Sequence, residues 1–353
     1  MMKLNNKKKL VDKKIQTQEE LWEALNYLAI KYEKEDNGNE AIHTAQEALK
    51  IAEETFSPEH ENIITSLNTL ANIYAKFGKT DEAVEFFDKV LDSARIKYGQ
   101  NSSEIANIQR GFASLLLKSD KINEAKMLLQ QSLGIMEKTL GTDHPDLVES
   151  IVSLAKIYGR QNRAHLAKPL FERATSIYVN HLGPEHPKVA DVLDEFADFY
   201  ENKEQYKEAG MLYKRALTIR ERAFGGEHPN IVPSLNNIAA LLLLVGNENR
   251  AEAYYIRAAK ITIKIFGKEH IEVAKALDNL VAMYVLQGKY RNAEPLCKQT
   301  LSIMEKILGR NNPQLLPMLR NMAEIMKNIG KHDEEEAYAM RIKRLRENMY
   351  SRK

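Results

Sequence analysis

Five histidines stand out first: His60, His144, His186, His228 and His270. Imidazole is the side chain most used to hold metals and to move protons near neutrality. Successive members of this set stand 42 residues, or twice that, apart. In a chain of stacked repeats, equivalent residues lie one or two helix diameters apart, about 10–20 Å. Ligands of a single zinc ion must converge to about 2 Å. The spacing therefore points to a structural duty in a recurring loop, and neither a catalytic constellation nor a metal site is expected. The lone thiol, Cys297, falls in a column also holding Phe87, Leu129, Phe171, Tyr213 and Tyr255, which predicts a buried core thiol instead of a nucleophile. A run of acids remains. Asp191, Asp194, Glu195 and Asp198 are spaced i, i+3, i+4 and i+7, so they share one helix face, with Glu201 beyond them. No cofactor is implied.

The elements that position these residues follow from a period. Leu140-Gly141-Thr142-Asp143-His144-Pro145 recurs as Leu182-Gly183-Pro184-Glu185-His186-Pro187 and Phe224-Gly225-Gly226-Glu227-His228-Pro229. Looser copies stand at Phe266-Gly267, Leu308-Gly309, Tyr98-Gly99 and Ser57-Pro58. A second ruler runs Leu28-Ala29, Leu70-Ala71, Phe112-Ala113, Leu154-Ala155, Phe196-Ala197, Ile238-Ala239, Leu280-Val281 and Met322-Ala323, again 42 apart. Each period holds two helical patterns. Ile151, Leu154, Ala155 and Tyr158 form the i, i+3, i+4, i+7 stripe of the first helix. Ala167, Leu170, Phe171, Ala174, Ile177 and Tyr178 form that of the second, which starts near Ala164. Gly78, Asp120, Asn162, Gly246, Gly288 or Gly330 separates the two, all types that tolerate a left-handed helix cap. Glu204 occupies the same position, and a less regular turn is expected there. The prolines after the histidines suit a first helical turn.

A length of 353 residues suggests two or three domains at about 150 residues each, and the period replaces them with one array. A two-helix unit cannot bury its stripe alone, so stability accumulates over neighbour interfaces. The expected fold is an all-α superhelical solenoid of about eight repeats: 18–56, 57–98, 99–140, 141–182, 183–224, 225–266, 267–308 and 309–350, with basic tails 1–17 and 351–353. With 51 basic and 49 acidic residues the net charge is +2, so no global field calls for nucleic acid or an acidic membrane. Sixteen glycines and ten prolines are too few for the turns of an all-β chain. One cysteine excludes an internal disulfide and suits a reducing compartment. No secretory signal and no apolar run of about 18 residues is present, so a cytoplasmic location is expected.

The order Leu-Ala-x-x-Tyr, a turn, then Ala, an aromatic and Ala resembles the tetratricopeptide repeat, whose usual length is about 34 residues. The 42-residue unit is more specifically similar to that of the kinesin light chain family. Ala276-Leu277-Asp278-Asn279-Leu280-Val281-Ala282-Met283-Tyr284, then Gly288-Lys289-Tyr290 and Ala293-Glu294-Pro295-Leu296-Cys297-Lys298, carry that likeness. Ser234-Leu235-Asn236-Asn237-Ile238-Ala239 is similarly close. True light chains have a long heptad segment ahead of the repeats. Residues 1–17 are shorter than the three or four heptads a coiled coil needs, so a free-standing protein with similar repeats is expected.

The resemblance implies that first helices line a concave surface and that asparagines there hold the backbone of an extended peptide. A carboxamide both donates and accepts, so it can meet a peptide N–H and C=O together. The column before the Leu-Ala pair includes Glu195, Asn237, Asn279 and Asn321; the column one residue earlier includes Asn68, Arg110, Asp194, Asn236, Asp278 and Arg320. Lys76, Arg110, Lys118, Lys156 and Arg160 make repeats two to four basic on this face, whereas Asp191, Asp194, Glu195, Asp198 and Glu201 make repeat five acidic. A ligand with separated charges would suit that segregation. Trp22 heads a column of Ile64, Val148, Val232 and Leu316 and is expected to pack in the first repeat. Basic residues close both ends, among them Arg341, Lys343, Arg344 and Arg346, and Glu335 replaces a core alanine as a polar capping repeat requires. The resulting expectation is a non-catalytic adaptor or scaffold that binds a protein or peptide, takes no small-molecule substrate and does not span a membrane. The alternative is a regulatory subunit of an enzyme or transport complex, binding through its convex face and basic termini.

Overall fold

Left-handed turns at a fixed interval divide the chain into helices. A computed structural model describes residues 18–350, with side-chain surroundings through Glu347; the basic tails lie outside the described residues. Sixteen α-helices follow in order among the described residues. They are α1 (Gln18–Lys34), α2 (Gly38–Thr55), α3 (Glu61–Lys76), α4 (Thr80–Tyr98), α5 (Ser103–Lys118), α6 (Ile122–Leu140), α7 (Val148–Arg160) and α8 (Ala164–Leu182). Then come α9 (Pro187–Glu201), α10 (Tyr206–Phe224), α11 (Val232–Leu244), α12 (Glu248–Phe266), α13 (Ile271–Leu286), α14 (Tyr290–Leu308), α15 (Leu316–Asn328) and α16 (His332–Tyr350). Odd-numbered helices are the first, and even-numbered the second, of each repeat. Among the described residues no helix is long and apolar enough to cross a membrane.

Each first helix ends the same way. Residues 36, 78, 120, 162, 204, 246, 288 and 330 all have positive φ. The next residue then donates its N–H back across the turn, as in Lys79 to Tyr74 O at 2.9 Å and Lys289 to Tyr284 O at 2.8 Å. This is the Schellman closure, and it satisfies carbonyls that the helix end would leave unpaired. Glu204 adopts the shared conformation at φ 58°, and Gln205 makes the shared bond to Tyr200 O. Its irregularity is limited to α9 stopping at Glu201, which leaves three turn residues where other repeats have two.

The second helix of most repeats ends at a glycine, such as Gly141 at φ 88° and ψ 165°, a region open essentially to glycine alone. The histidine loop follows. Nδ1 of His60, His144, His186, His228 and His270 accepts the backbone N–H two residues on, each at 3.2 Å. Asn312 does the same with its side-chain oxygen. The recurrent histidines are thus helix N-caps. Phe56, Phe224 and Phe266 stack on His60, His228 and His270 with centroids 4.3, 5.0 and 4.6 Å apart.

The described chain forms two compact bodies, one through Ile177 and one from Tyr178. In the first body α1 through α6 pack each against the next, and α6 continues onto α7. In the second the same holds from α9 to α16. Ala29, Ala71, Ala113, Ala155, Ala197 and Ala239 of the first helices are wholly buried, as are Ala41, Ala83, Ala125, Ala167, Ala209, Ala251 and Ala293 of the second. Small residues here let helix backbones approach, and larger neighbours such as Phe87, Phe171 and Leu193 fill the remaining space. In α16 Glu335 stands where the alanine was and is only half-buried, so the array closes on a more polar helix.

Substitutions at Gly141 and His144 test the helix ends. Gly141→Ala meets no neighbouring atom, yet it should cost about 1–3 kcal/mol from backbone strain, whereas Gly111→Ala inside α5 should stabilise by about 1 kcal/mol. His144→Ala should cost about 1 kcal/mol and His144→Asn much less, because asparagine keeps an N-cap acceptor. Urea unfolding of the four variants decides both.

Candidate functional site

Two pairs of successive first helices come against one another, α1 with α3 in the first body and α13 with α15 in the second. Residues in equivalent columns therefore form ladders across the helices. In the second body Asn237, Asn279 and Asn321 occupy such a column on α11, α13 and α15, and all three are half-buried. Among the described residues none of the three carboxamides has a hydrogen-bond partner. Asn236 and Asp278, one residue earlier, are half-buried too, and the Oδ1 atom of each is buried without a partner. Burial alone holds the Asp278 carboxyl above the ordinary carboxylate range. Arg320, in the same column, is exposed.

In the first body Asn68 is half-buried, whereas Lys156 and Arg160 are exposed. Arg110 is committed to its neighbour repeat: its Nη1 lies 2.9 Å from Glu149 of α7, and its Nη2 donates to Asn107 at 3.3 Å.

The acidic run of α9 is bound up with the second helix of its own repeat. Arg220, only 8% exposed, donates to Asp191 Oδ1 at 2.6 Å, to Asp194 Oδ2 and to the Ser234 hydroxyl of α11. The Tyr213 hydroxyl donates to Asp198 and, at 3.2 Å, to Glu201. Desolvation pushes Asp194 up to about 6 even with Arg220 against it, and the neighbouring acids Asp198 and Asp191 add to the rise. Burial and the adjoining carboxylates raise Tyr213 as well. Asp191, Asp194 and Asp198 therefore do two things: they edge the first-helix face and they anchor buried groups beneath it.

The tetratricopeptide repeat family model matches residues 22–96, 104–179, 188–264, 233–295 and 272–348, nearly the whole described chain. The chain belongs to the tetratricopeptide repeat family. Among solved structures, the nearly identical TPR-like repeats of a Podosopora anserina kinesin light chain are 25% identical to it, covering 60% of this chain and 99% of that one with a TM-score of 0.53. BtubC (BKLC) from P. vanneervenii is 22% identical over 69% of this chain and 92% of that one, TM-score 0.53, and shares the fold. The apo form of the quorum sensor NprR from B. thuringiensis, 13% identical, covers 92% of this chain and 88% of its own, TM-score 0.56, and also shares the fold. No curated protein matches by sequence.

Within this tetratricopeptide repeat protein the other nominated residues have structural duties. Cys297 is wholly buried, and burial with the Asp278 charge nearby pushes its thiol up to about 12. Trp22 packs edge-on to Phe56 at 6.4 Å, and its indole N–H donates to Ser66 Oγ at 2.6 Å. The residue that sequence reasoning missed is Arg220. A signal existed: its column holds Ala52, Ala94, Met136, Tyr178, Thr262 and Met304 in the other repeats before the last, whose Arg346 is exposed, so an arginine inside the array must bring a counter-charge with it.

Removing Arg220 alone strands buried carboxylate. Arg220→Met should cost about 3 kcal/mol, and adding Asp194→Leu should recover most of it, because an apolar pair replaces an ionic one at little cost; a double-mutant cycle in urea measures this. Asp278 yields a pH dependence. Its folded pKa is raised, so the ionised form is penalised, and stability falls as pH rises through that pKa. Asp278→Asn should melt above wild type at pH 7, and the gap should close as pH falls toward 4; a gap independent of pH would refute the buried-charge assignment.

Proposed function

We propose that this protein is a non-catalytic binding scaffold that holds a segment of a protein partner along the first-helix face. Family membership supports a protein-binding role in general; the finer reading rests on one observation. Three half-buried carboxamides, Asn237, Asn279 and Asn321, repeat at 42-residue intervals on successive first helices and have no hydrogen-bond partner among the described residues. A carboxamide held on a rigid helix without an internal partner is free to pair with the N–H and C=O of a main chain. Asn236 and Asp278 extend the polar ladder, and Arg320 supplies exposed positive charge at its edge. Asn68 offers the same chemistry in the first body, with Lys156 and Arg160 as exposed cations. Asp194, Glu195 and Asp198 set a contrasting charge on α9, and such charges govern polarity and encounter rate more than affinity.

The test is a peptide-library selection on wild type against the Asn237→Ala, Asn279→Ala, Asn321→Ala triple variant. At about 1 kcal/mol for each main-chain pair, selected peptides should bind the variant about 100-fold more weakly. Equal affinity for the same peptides would remove the carboxamide ladder from the binding face.

A further inference from the structure

Repetition makes departures visible, and several of them meet at one place in the first body. A cavity of about 370 Å³ opens between the end of α4, the start of α5, and α6. Its buried wall includes Gln109, in a column that otherwise reads Leu25, Leu67, Ile151, Leu193, Leu235, Leu277 and Leu319. Gln109 is 4% exposed; its Nε2 donates to Gln131 Oε1 at 3.0 Å, and its Oε1 is buried with no partner. Whichever way the amide is turned, it has one polar atom more than Gln131 satisfies. A leucine column does not take on an unsatisfied amide for stability.

The second departure is a missing clamp. In three other repeats an arginine of the second helix reaches back to a loop carbonyl and to a glutamate 36 residues earlier. Arg173 pairs with Glu137 at 2.8 Å and donates to Thr142 O at 2.6 Å; Arg257 pairs with Glu221 at 2.7 Å and donates to Gly226 O at 2.9 Å. Arg341 does the same with Glu305 and Arg310 O. At the cavity those two positions are Gln131 and Arg95, so the clamp cannot form. Arg95 pairs with Asp92 on its own helix, at 3.0 Å, and its guanidinium carries further N–H donors beyond that bond. The third departure is Gly134, whose absent side chain leaves the wall open. Lys138, Gln100, Asn101 and Gln130, the last donating to the Tyr158 hydroxyl at 3.1 Å, complete the polar lining, and no carboxylate belongs to it.

We propose that this cavity binds a small carboxylate carrying a hydroxyl or amide beside its charge. The carboxylate meets Arg95 and Lys138, and the hydroxyl or amide meets Gln109 and Gln131. A free hydroxy acid and the C-terminal residue of a peptide both present this chemistry.

Isothermal titration of the full chain tests it with L-malate and triglycine, against succinate, which lacks the hydroxyl, and triglycine amide, which lacks the charge. At least one of the first two should bind, and which one identifies the source. Gln109→Leu restores the repeat's own residue, so it should raise the melting temperature while weakening that binding about tenfold or more. Arg95→Glu with Gln131→Arg should rebuild the clamp and abolish it. Absence of binding by both up to about 10 mM, equal binding of the control compounds, or unchanged affinity in the two restored variants would overturn the proposal.

Discussion

Neighbouring helices in this chain can touch only because one residue in each stripe is small. The alanine columns at 29, 71, 113, 155, 197 and 239, and at 41 through 293, are wholly buried and bring helix backbones together. A two-helix unit has too little core to stand alone, so every repeat depends on the fit of its alanines to the next. All other regularities serve this contact. The left-handed turn reverses the chain at the right length, the glycine ends the second helix, and the histidine cap starts the next first helix at a fixed orientation. A helix one residue too long or too short would turn the alanine away from its neighbour.

Because the repeats satisfy their own backbone so uniformly, chemistry sits where the pattern is broken or where a column is left over. Arg220 breaks an apolar column and draws Asp191 and Asp194 toward it. Gln109 and Arg95 break a leucine column and an arginine–glutamate clamp at one spot. Asn237, Asn279 and Asn321 break nothing: they are a leftover column outside the buried core, without hydrogen-bond partners among the described residues. The first two cases cost stability locally, which the surrounding alanine contacts can offset.

Much of this was legible beforehand. The interval of 42 predicted the helix pairs, and the helix boundaries fall where the turn residues indicated. Even Glu204, the one poor turn former, takes the left-handed conformation, because seven other repeats impose the same geometry on the array and the local cost is small beside the packing it preserves. The spacing of the histidines points to a recurring loop, but their role as Nδ1 caps depends on ring orientation, which periodicity does not carry. The spacing of the acidic run places it on one helix face, but its internal partners Arg220 and Tyr213 lie on another helix at separations that no i, i+4 rule connects.

The sequence by itself determined the repeat, its length, the order of helices, and which columns are core, because these follow from periodicity and from residue types that only certain backbone conformations accept. Tertiary structure decided which polar residues are satisfied. Whether a carboxamide on a first helix is bonded, whether an aspartate faces water or an arginine, and whether a glutamine opens onto a cavity depend on side chains from helices 20 to 40 residues away. Those contacts are set by how the stacked helices meet in space, and hydrogen bonding is short-ranged enough that a shift of about 1 Å makes or breaks it.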